Sequence, residues 1–591
     1  MKCYQNGYPR PQFVRDRQSW ENLDGPWDFS FDDKNEGIAK KWFNTFPAGR
    51  EIIVPFCHES PASGIGDSSR HDVVWYRKTL TLHPRQKQGS RVILHFEGSD
   101  YHTKLWVNGS FAGSHDGAYA RFSFDITSYV KPGNNTLTVR AEDSPDISQP
   151  RGKQRWKNES YGCWYVQTTG IWKTVWLEYV NPSHIASVKM TPFPSRGILD
   201  IEAEIESPCE DMELEVQISF KDLMVTKLTA DAGAKRLCLS AGVFSTAVCE
   251  WGLHTWSPGN PNLYDISFTL KKSGKIIDQV LSYFGMREIR IDGRYILLNG
   301  HPLYQRLILD QGYWKDSHLT PPGEQALVTD IDKILSAGYN GVRKHQKVED
   351  ERFLYWADVK GLLVWSEMAS AYEFNDDAVS MFTREWMEVV KQHYNHPSII
   401  TWTPFNESWG ISSIKNRADQ QAFTQTIYYL TKSYDQYRPV ICNDGWEHTV
   451  SDIITLHDYE EKGDDFFARY GEHLEEILNN RLYPNLHRAC FASSHTYRGQ
   501  PIIISEYGGI AFDDGQGWGY GNKVTTKEDF IKRFDAITTA IKKVNGLCGF
   551  CYTQVTDVQQ EINGIMDMDR NFKIDPDILR EINERKVNKL V

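Results

Sequence analysis

The hydrophobic pattern changes character about halfway along the chain. Up to about residue 287, short runs of β-branched and aromatic residues alternate with Gly, Asn, Asp and Pro, which is typical of all-β structure. From about residue 288, short apolar runs alternate with long helix-like stretches, as in a parallel sheet that is covered by helices. The sequence therefore predicts β-sandwiches followed by an α/β unit.

The all-β region divides into two predicted domains. Residues 1–181 contain strand-like runs such as WYRKTLTL and RVILHFEGSD, and Asn108-Gly109 is a strong hairpin signal, so we expect a jelly-roll β-sandwich. Residues 182–287 repeat the strand-and-turn pattern and suit an immunoglobulin-like β-sandwich. Neither region concentrates titratable groups, which favours a supporting or ligand-positioning role for both.

Residues 288–591 are predicted to form a (β/α)8 TIM barrel, because eight strand-like runs alternate there with helix-like segments. The sixth run is followed by a long polar stretch to residue 500, which we expect to form an elaborated loop over the site. The eight runs are LYQRLILDQ, NGVRKHQ, LLVWSEM, IITWTPFNE, PVICNDG, IITLHDYE, PIIISEYGG and GFCYTQVTD.

Two of these predicted strands end at a carboxylate, namely Glu407 in IITWTPFNES and Glu506 in PIIISEYGG. The carboxyl-terminal strand ends form the catalytic face of a TIM barrel. Burial of two unpaired carboxylates would cost several kcal/mol, so their presence predicts paired acid chemistry. Other polar side chains at or near the predicted strand ends are candidate substrate contacts: Asp310, Arg343, His345, Asn406, His457 and Tyr459.

Composition narrows the possible partners. The 66 basic and 78 acidic residues give a net charge of −12, which argues against nucleic acid or an anionic membrane as partner. No run approaches the roughly 20 apolar residues of a membrane span, and the first residues lack a secretory signal pattern. Ten scattered cysteines fit a reducing compartment, so we expect a cytoplasmic protein. We also expect neither a metal nor a cofactor.

The motifs resemble those of glycoside hydrolase family 2. NHPSIITWTPFNESWG is similar to the Asn-Glu motif of that family, PIIISEYGG is similar to its nucleophile strand, and further similar segments extend over essentially the whole chain. The resemblance implies retaining hydrolysis with Glu407 as acid/base, Glu506 as nucleophile and Asn406 as partner of the sugar 2-hydroxyl. It also suggests that Tyr459 donates a hydrogen bond to Glu506, while His457 and Arg343 orient the sugar or the carboxylates.

Retaining chemistry sets two conditions on the glutamates. The carboxyl groups should lie about 5 to 5.5 Å apart, and Glu407 should be protonated when the reaction starts. We expect the negative charge of Glu506 to raise the pKa of Glu407.

The resemblance implies a small-molecule or oligosaccharide glycoside as substrate and is compatible with a homo-oligomer. Asn571 and Lys573 in DRNFKID resemble the carboxylate-binding Asn-x-Lys pair of β-glucuronidases, which favours a β-glucuronidase. The order departs from that branch, because Glu561 and Asn563 stand before the Gly where the pair belongs. A β-galactosidase and, more remotely, a non-catalytic carbohydrate-binding protein are the alternatives.

Overall fold

The computed structural model describes residues 7–82, 89–245, 248, 252–484, 488–513 and 515–587. Within these ranges it contains a jelly-roll sandwich, an immunoglobulin-like sandwich and a TIM barrel, as predicted. None of the helices in these ranges has the length and apolar character needed to cross a membrane.

The jelly-roll sandwich packs a six-stranded sheet against a four-stranded sheet around large side chains such as Trp27, Phe29 and Tyr76. The predicted hairpin is confirmed, because Asn108 and Gly109 have φ values of 51° and 80° between two antiparallel strands. The larger sheet has the order Arg50–Val54, Gly25–Phe31, Val73–Leu82, Gly133–Glu142, His102–Val107 and Ser110–Asp116, and the smaller has Trp20–Asn22, Val175–Val180, Arg91–Phe96 and Phe122–Asp125.

The immunoglobulin-like sandwich follows the alternating pattern of its strands. In Met212–Phe220, every second side chain is buried in the core between the sheets. The three-stranded sheet is His184–Phe193, Ile198–Glu206 and Arg236–Gly242, and the four-stranded sheet is Leu223–Asp231, Met212–Phe220, Tyr264–Lys272 and Lys275–Phe284.

The barrel contains a seven-stranded parallel sheet in the described residues. The predicted fifth strand is reduced to isolated bridges, in which Val440 pairs with Trp402 and Asp444 pairs with Asn406. The strands pair in the order Ile399–Thr403, Leu363–Glu367, Gly341–Lys344, Gln305–Asp310, Leu547–Thr553, Ile502–Gly508 and Ile454–His457.

Side chains explain why the fifth segment is not a regular strand. The backbone N–H of Val440 donates to Asp452 Oδ2 at 2.8 Å, and that of Cys442 donates to Ser451 Oγ at 2.9 Å. Backbone donors that are bonded to side chains are not available to a neighbouring strand. The prediction of eight regular strands is therefore wrong at this position, although the segment still lies parallel to Ile399–Thr403.

The polar stretch after the sixth strand is not simply a loop, because Gly463–Leu478 is a helix. Its buried face includes Phe466, Tyr470 and Ile477, so its polar residues belong mainly to the outer face. The barrel region has the helices Glu324–Ser336, Glu351–Lys360, Asp376–His393, Ala418–Tyr434, Gly463–Leu478, Lys527–Lys543 and Pro576–Glu584 in the ranges described.

One jelly-roll loop reaches the mouth of the barrel. Residues 143–169 leave the strand Gly133–Glu142 and contact barrel loops at two places. The backbone N–H of Arg151 donates to Ser370 O at 2.9 Å, and Gln560 Nε2 donates to Trp164 O at 3.0 Å. The loop therefore forms part of the wall around the carboxyl-terminal strand ends.

Candidate active site

Arg343 lies at the centre of the catalytic face and is fully buried. Its Nε contacts Glu367 Oε2 at 2.7 Å, and its Nη1 contacts Asp444 Oδ2 at 2.7 Å and Glu506 Oε1 at 2.8 Å. Burial lowers the pKa of the guanidinium, but the charges of Asp444, Glu367 and Glu506 outweigh that effect and raise it well above its usual value. Arg343 is therefore a permanent cation that fixes three carboxylates.

Glu506 is oriented through both of its carboxylate oxygens. Arg343 donates to Oε1, and the Tyr459 hydroxyl makes a short hydrogen bond to Oε2. The Tyr459 ring stacks on Tyr520 with ring centroids 3.4 Å apart. Burial, followed by the charge of Glu506, raises the pKa of Tyr459 well above its usual value, so its hydroxyl remains a donor.

Glu407 follows the strand Ile399–Thr403 in an unusual backbone conformation. Glu407 and Ser408 have φ values of 50° and 59°, and the Glu407 N–H donates to Asp444 O at 2.9 Å. Non-glycine residues in the left-handed region cost about 1 kcal/mol or more each and are enriched at functional sites. This turn directs the Glu407 carboxylate to His457, whose Nδ1 donates to Oε1 at 2.8 Å.

His457 is held between two carboxylates. Nδ1 faces Glu407, while Nε2 donates to Asp444 Oδ2 at 3.0 Å. Burial lowers the pKa of His457, but Glu506, Asp444 and Glu407 reverse that effect and raise the pKa to about 10. His457 is therefore an imidazolium at neutral pH.

Glu407, His457 and Glu506 form a compact cluster in which one ligand-type atom of each lies within 4.8 Å of the others. Such a group could in principle hold a metal ion. However, both nitrogens of His457 donate hydrogen bonds, and a protonated imidazole has no lone pair for a metal. These hydrogen bonds therefore do not favour a metal ion at the cluster.

The expected rise in the pKa of Glu407 is wrong for this structure. Burial does raise that pKa, but the His457 hydrogen bond and the charges of His457, Lys153 and Arg343 outweigh it and hold the pKa below its usual value. The shared proton accordingly resides on His457 Nδ1 rather than on Glu407 Oε1. The sequence argument considered only the charge of Glu506 and omitted these three cations.

Asn406 and His345 lie beside the same guanidinium. Arg343 Nη2 donates to Asn406 Oδ1 at 2.5 Å, while the buried Asn406 Nδ2 has no partner among the described residues. Arg343 Nη2 also lies 3.1 Å from His345 Nδ1. Burial, with the charges of Lys153 and Arg343, lowers the pKa of His345 well below its usual value, so this histidine is neutral.

The structure does not bring the other predicted contacts into the glutamate cluster. Asp310 pairs with Lys344 Nζ at 2.5 Å and accepts from the backbone N–H of Gly312 at 2.7 Å. Asn571 is exposed and donates from Nδ2 to Asp567 Oδ2 at 3.0 Å. Lys573 has its own contacts, with Asp557 Oδ1 at 2.5 Å and Ile562 O at 2.9 Å. Substrate binding by Asp310, Asn571 and Lys573 stays a prediction.

Several residues near the site were not singled out as contacts by the sequence argument. The buried indole N–H groups of Trp409 and Trp446 have no partner in the ranges described. The ring of Trp409 packs edge-on against Trp164 of the jelly-roll loop, with ring centroids 5.4 Å apart. The dense aromatic and basic composition of RWKNESYGCWY was the available signal, but only the fold connects this loop with the barrel.

All three domains match models of one protein family. Residues 20–177 match the family described as glycosyl hydrolases family 2, sugar binding domain, and residues 183–287 match glycosyl hydrolases family 2. Residues 289–585 match the TIM barrel domain of the same family. The chain belongs to glycosyl hydrolases family 2.

Individual relatives carry different activities in their names. A β-galactosidase of Thermoanaerobacter pseudethanolicus is 26% identical, over 79% of this chain and 61% of its own length. The β-glucuronidase of Canis lupus familiaris is 24% identical, over 85% of this chain and 79% of its own length. This chain thus spans less than two thirds of the bacterial relative.

Solved structures share the fold at low identity. Bifidobacterium dentium β-glucuronidase complexed with coumarin-3-O-glucuronide has a TM-score of 0.78 and 18% identity, covering 96% of this chain and 97% of its own. The Eisenbergiella tayi β-galacturonidase bound to galacturonate has a TM-score of 0.74 and 21% identity, covering 98% and 99%. These similarities establish the shared fold of all three domains.

Proposed function

We propose that the protein is a retaining exo-β-glycosidase that removes terminal β-linked sugars, with β-D-glucuronides as its substrates. The observation that carries the mechanism is the pairing of Glu407 and Glu506, whose nearest carboxylate oxygens lie within 4.8 Å. This separation is closer to the roughly 5 to 5.5 Å of retaining enzymes than to the roughly 6.5 to 9.5 Å of inverting ones, so it favours the retaining arrangement.

Glu506 is the nucleophile in this proposal. Its two donors, Arg343 and Tyr459, hold the carboxylate in a fixed position while it attacks the anomeric carbon. Arg343 also forms a buried ion pair with Glu506, with Nη1 2.8 Å from Oε1. The product of this step is a covalent glycosyl-enzyme.

Glu407 acts with His457 as the acid/base. The proton that His457 Nδ1 shares with Glu407 Oε1 passes to the leaving glycosidic oxygen as that oxygen gains negative charge. In the second step, Glu407 takes a proton from water, and the resulting hydroxide displaces Glu506 from the sugar. The unpaired Nδ2 of Asn406 is suited to donate to a sugar hydroxyl beside this centre.

The glucuronide assignment is supported by the relatives and solved structures whose names give uronide substrates or ligands. A β-galactosidase is the second candidate, and one contact favours it. Lys573, the cation expected to bind the sugar carboxylate, is already paired with Asp557.

The proposal is tested with 4-nitrophenyl β-glycosides of glucuronic acid, galacturonic acid, galactose and glucose, using the wild type and Glu506→Gln. We expect selective glucuronide cleavage that falls by at least about a thousandfold in the variant, because an amide is a poor nucleophile. Glu475→Gln, on an exposed helix position, is the matched control. Preferential galactoside cleavage would select the second candidate, and full activity of Glu506→Gln would exclude the mechanism.

A further inference from the structure

We propose that Lys153, carried by the jelly-roll loop, is the cation that binds the carboxylate of the uronic acid substrate. This inference rests on the proposed glucuronide function and assigns the charge recognition to a residue outside the barrel. It also implies that the segment with Asn571 and Lys573 does not bind the sugar carboxylate.

The backbone of Lys153 is fixed at the barrel mouth. The neighbouring Gly152 donates its N–H to Ser370 O at 3.0 Å and accepts the Tyr372 hydroxyl at 2.5 Å. The Lys153 carbonyl accepts the Tyr165 N–H at 2.8 Å. A cation on so firmly anchored a segment loses little conformational freedom when it binds an anion.

The Lys153 ammonium occupies a buried, acidic environment between the two domains. The residue is 8% exposed, and its electrostatic neighbours are Cys163, Tyr372, Glu561 and the acid/base Glu407. Burial lowers the pKa of Lys153, and Cys163, Tyr372, Glu561 and Glu407 raise it overall. The pKa values of Cys163 and Tyr372 are themselves raised, so the negative charge near Lys153 at neutral pH comes from the carboxylates. In the described part of the chain, no carboxylate lies close enough to form an ion pair with it.

The neighbouring cations are already paired. Arg343 contacts three carboxylates, and Lys344 contacts Asp310 and Glu349 at 2.5 and 2.6 Å. Lys573 contacts Asp557. Lys153 is therefore the buried cation near Glu407 that is best able to accept a carboxylate from the substrate.

Glu561 interacts electrostatically with this ammonium but makes its hydrogen bonds to other donors. It accepts the Tyr165 hydroxyl in a short hydrogen bond, Asn563 Nδ2 at 3.0 Å and Gln311 Nε2 at 3.4 Å. Burial raises the pKa of Glu561. This network links the jelly-roll loop to the segment that follows the last barrel strand.

The test compares 4-nitrophenyl β-D-glucuronide with its methyl ester, which has the same sugar but no charge. Lys153→Met keeps the length of the side chain and removes its charge, Lys153→Arg keeps the charge, and Lys573→Met is the matched control. We expect Lys153→Met to reduce kcat/KM for the acid about 30-fold or more while the ester changes little, as for loss of one partner of a buried charge pair. Lys153→Arg should retain part of the preference for the acid.

Each result has a defined meaning. Equal losses for acid and ester in Lys153→Met would overturn the inference, since they would show that Lys153 acts on Glu407 rather than on the substrate. A selective loss in Lys573→Met would also overturn it. Wild-type cleavage of galactosides without cleavage of uronides would instead refute the proposed function. Should Lys153→Met fail to fold, Lys153→Gln and Lys153→Arg are compared in the same way, and an acid-to-ester preference that survives in Lys153→Gln overturns the inference.

Discussion

His457 Nδ1 lies 2.8 Å from Glu407 Oε1, while its Nε2 lies 3.0 Å from Asp444 Oδ2. Glu407, the acid/base in the proposed mechanism, therefore shares its proton with a histidine that a second carboxylate keeps charged. Glu407 need not hold the proton in the resting enzyme, because the pair holds it. This arrangement makes the pH behaviour of the enzyme a property of two residues.

Replacement of His457 should move the alkaline limb of the pH profile. In the wild type, the pair keeps its proton until the pH approaches the pKa of His457, which is raised to about 10. In His457→Asn the proton must reside on Glu407 itself, and a carboxylic acid loses it at lower pH. We expect kcat/KM of the variant to begin its alkaline decline at a lower pH than in the wild type. Above the new pKa, it should fall by about tenfold per pH unit. An unchanged alkaline limb would contradict the shared proton; His473→Asn, at an exposed site, is the control.

Glu407→Gln should be sensitive to the leaving group. The variant cannot protonate the departing oxygen, so glycosides with a poor leaving group, such as unsubstituted phenyl glycosides, should suffer most. A 2,4-dinitrophenyl glycoside needs little protonation, and its first-step rate should fall by a much smaller factor. Pre-steady-state measurement of phenol release tests this expectation, and equal losses for both leaving groups would argue against an acid role for Glu407.

Tyr459→Phe should lower kcat more than it raises KM. The lost hydrogen bond acts on the charged Glu506, and such bonds contribute about 1.5–3 kcal/mol, which corresponds to roughly 10- to 150-fold. Tyr497→Phe is the control, because its hydroxyl bonds only to the backbone oxygen of Gln500 in the described part of the chain. Steady-state kinetics on both variants measure the difference, and equal kinetics would remove Tyr459 from the mechanism.

Arg343→Met should destabilise the fold as well as abolish activity. It leaves Glu367, Asp444 and Glu506 without their common cation, and an unpaired buried charge costs about 3–5 kcal/mol. Removal of the exposed Arg77, which pairs with Asp28, should cost less than about 1 kcal/mol. Urea unfolding of the two variants gives the comparison, and similar midpoints would contradict the structural role of Arg343.

Local sequence pattern predicted the strands and the two glutamates because both depend on neighbours along the chain. An apolar run before Glu407 or Glu506 indicates a buried strand without knowledge of the rest of the fold, and the catalytic role of the two glutamates stays a prediction. The prediction of the fifth strand was wrong because its pairing depends on residues outside the run itself. Its backbone donors bond to Ser451 and Asp452, and nothing in PVICNDG itself shows that these side chains replace a neighbouring strand.

The electrostatics of the site were harder to predict, because they depend on contacts between distant segments. The pKa of Glu407 is set by His457, Lys153 and Arg343, which come from three separate parts of the chain. Sequence order shows that these residues exist but not that they converge. The contribution of the jelly-roll domain was the least predictable part of the site.

The loop of residues 143–169 has a consequence for how the enzyme diversifies. The proposed catalytic glutamates belong to the barrel domain, whereas part of the wall around the strand ends comes from the jelly-roll domain. Changes in the composition of this loop can therefore alter which sugar is accepted while leaving the bond-breaking apparatus intact. In the proposed mechanism, selectivity and reactivity are therefore encoded in different regions of the sequence and are free to evolve at different rates.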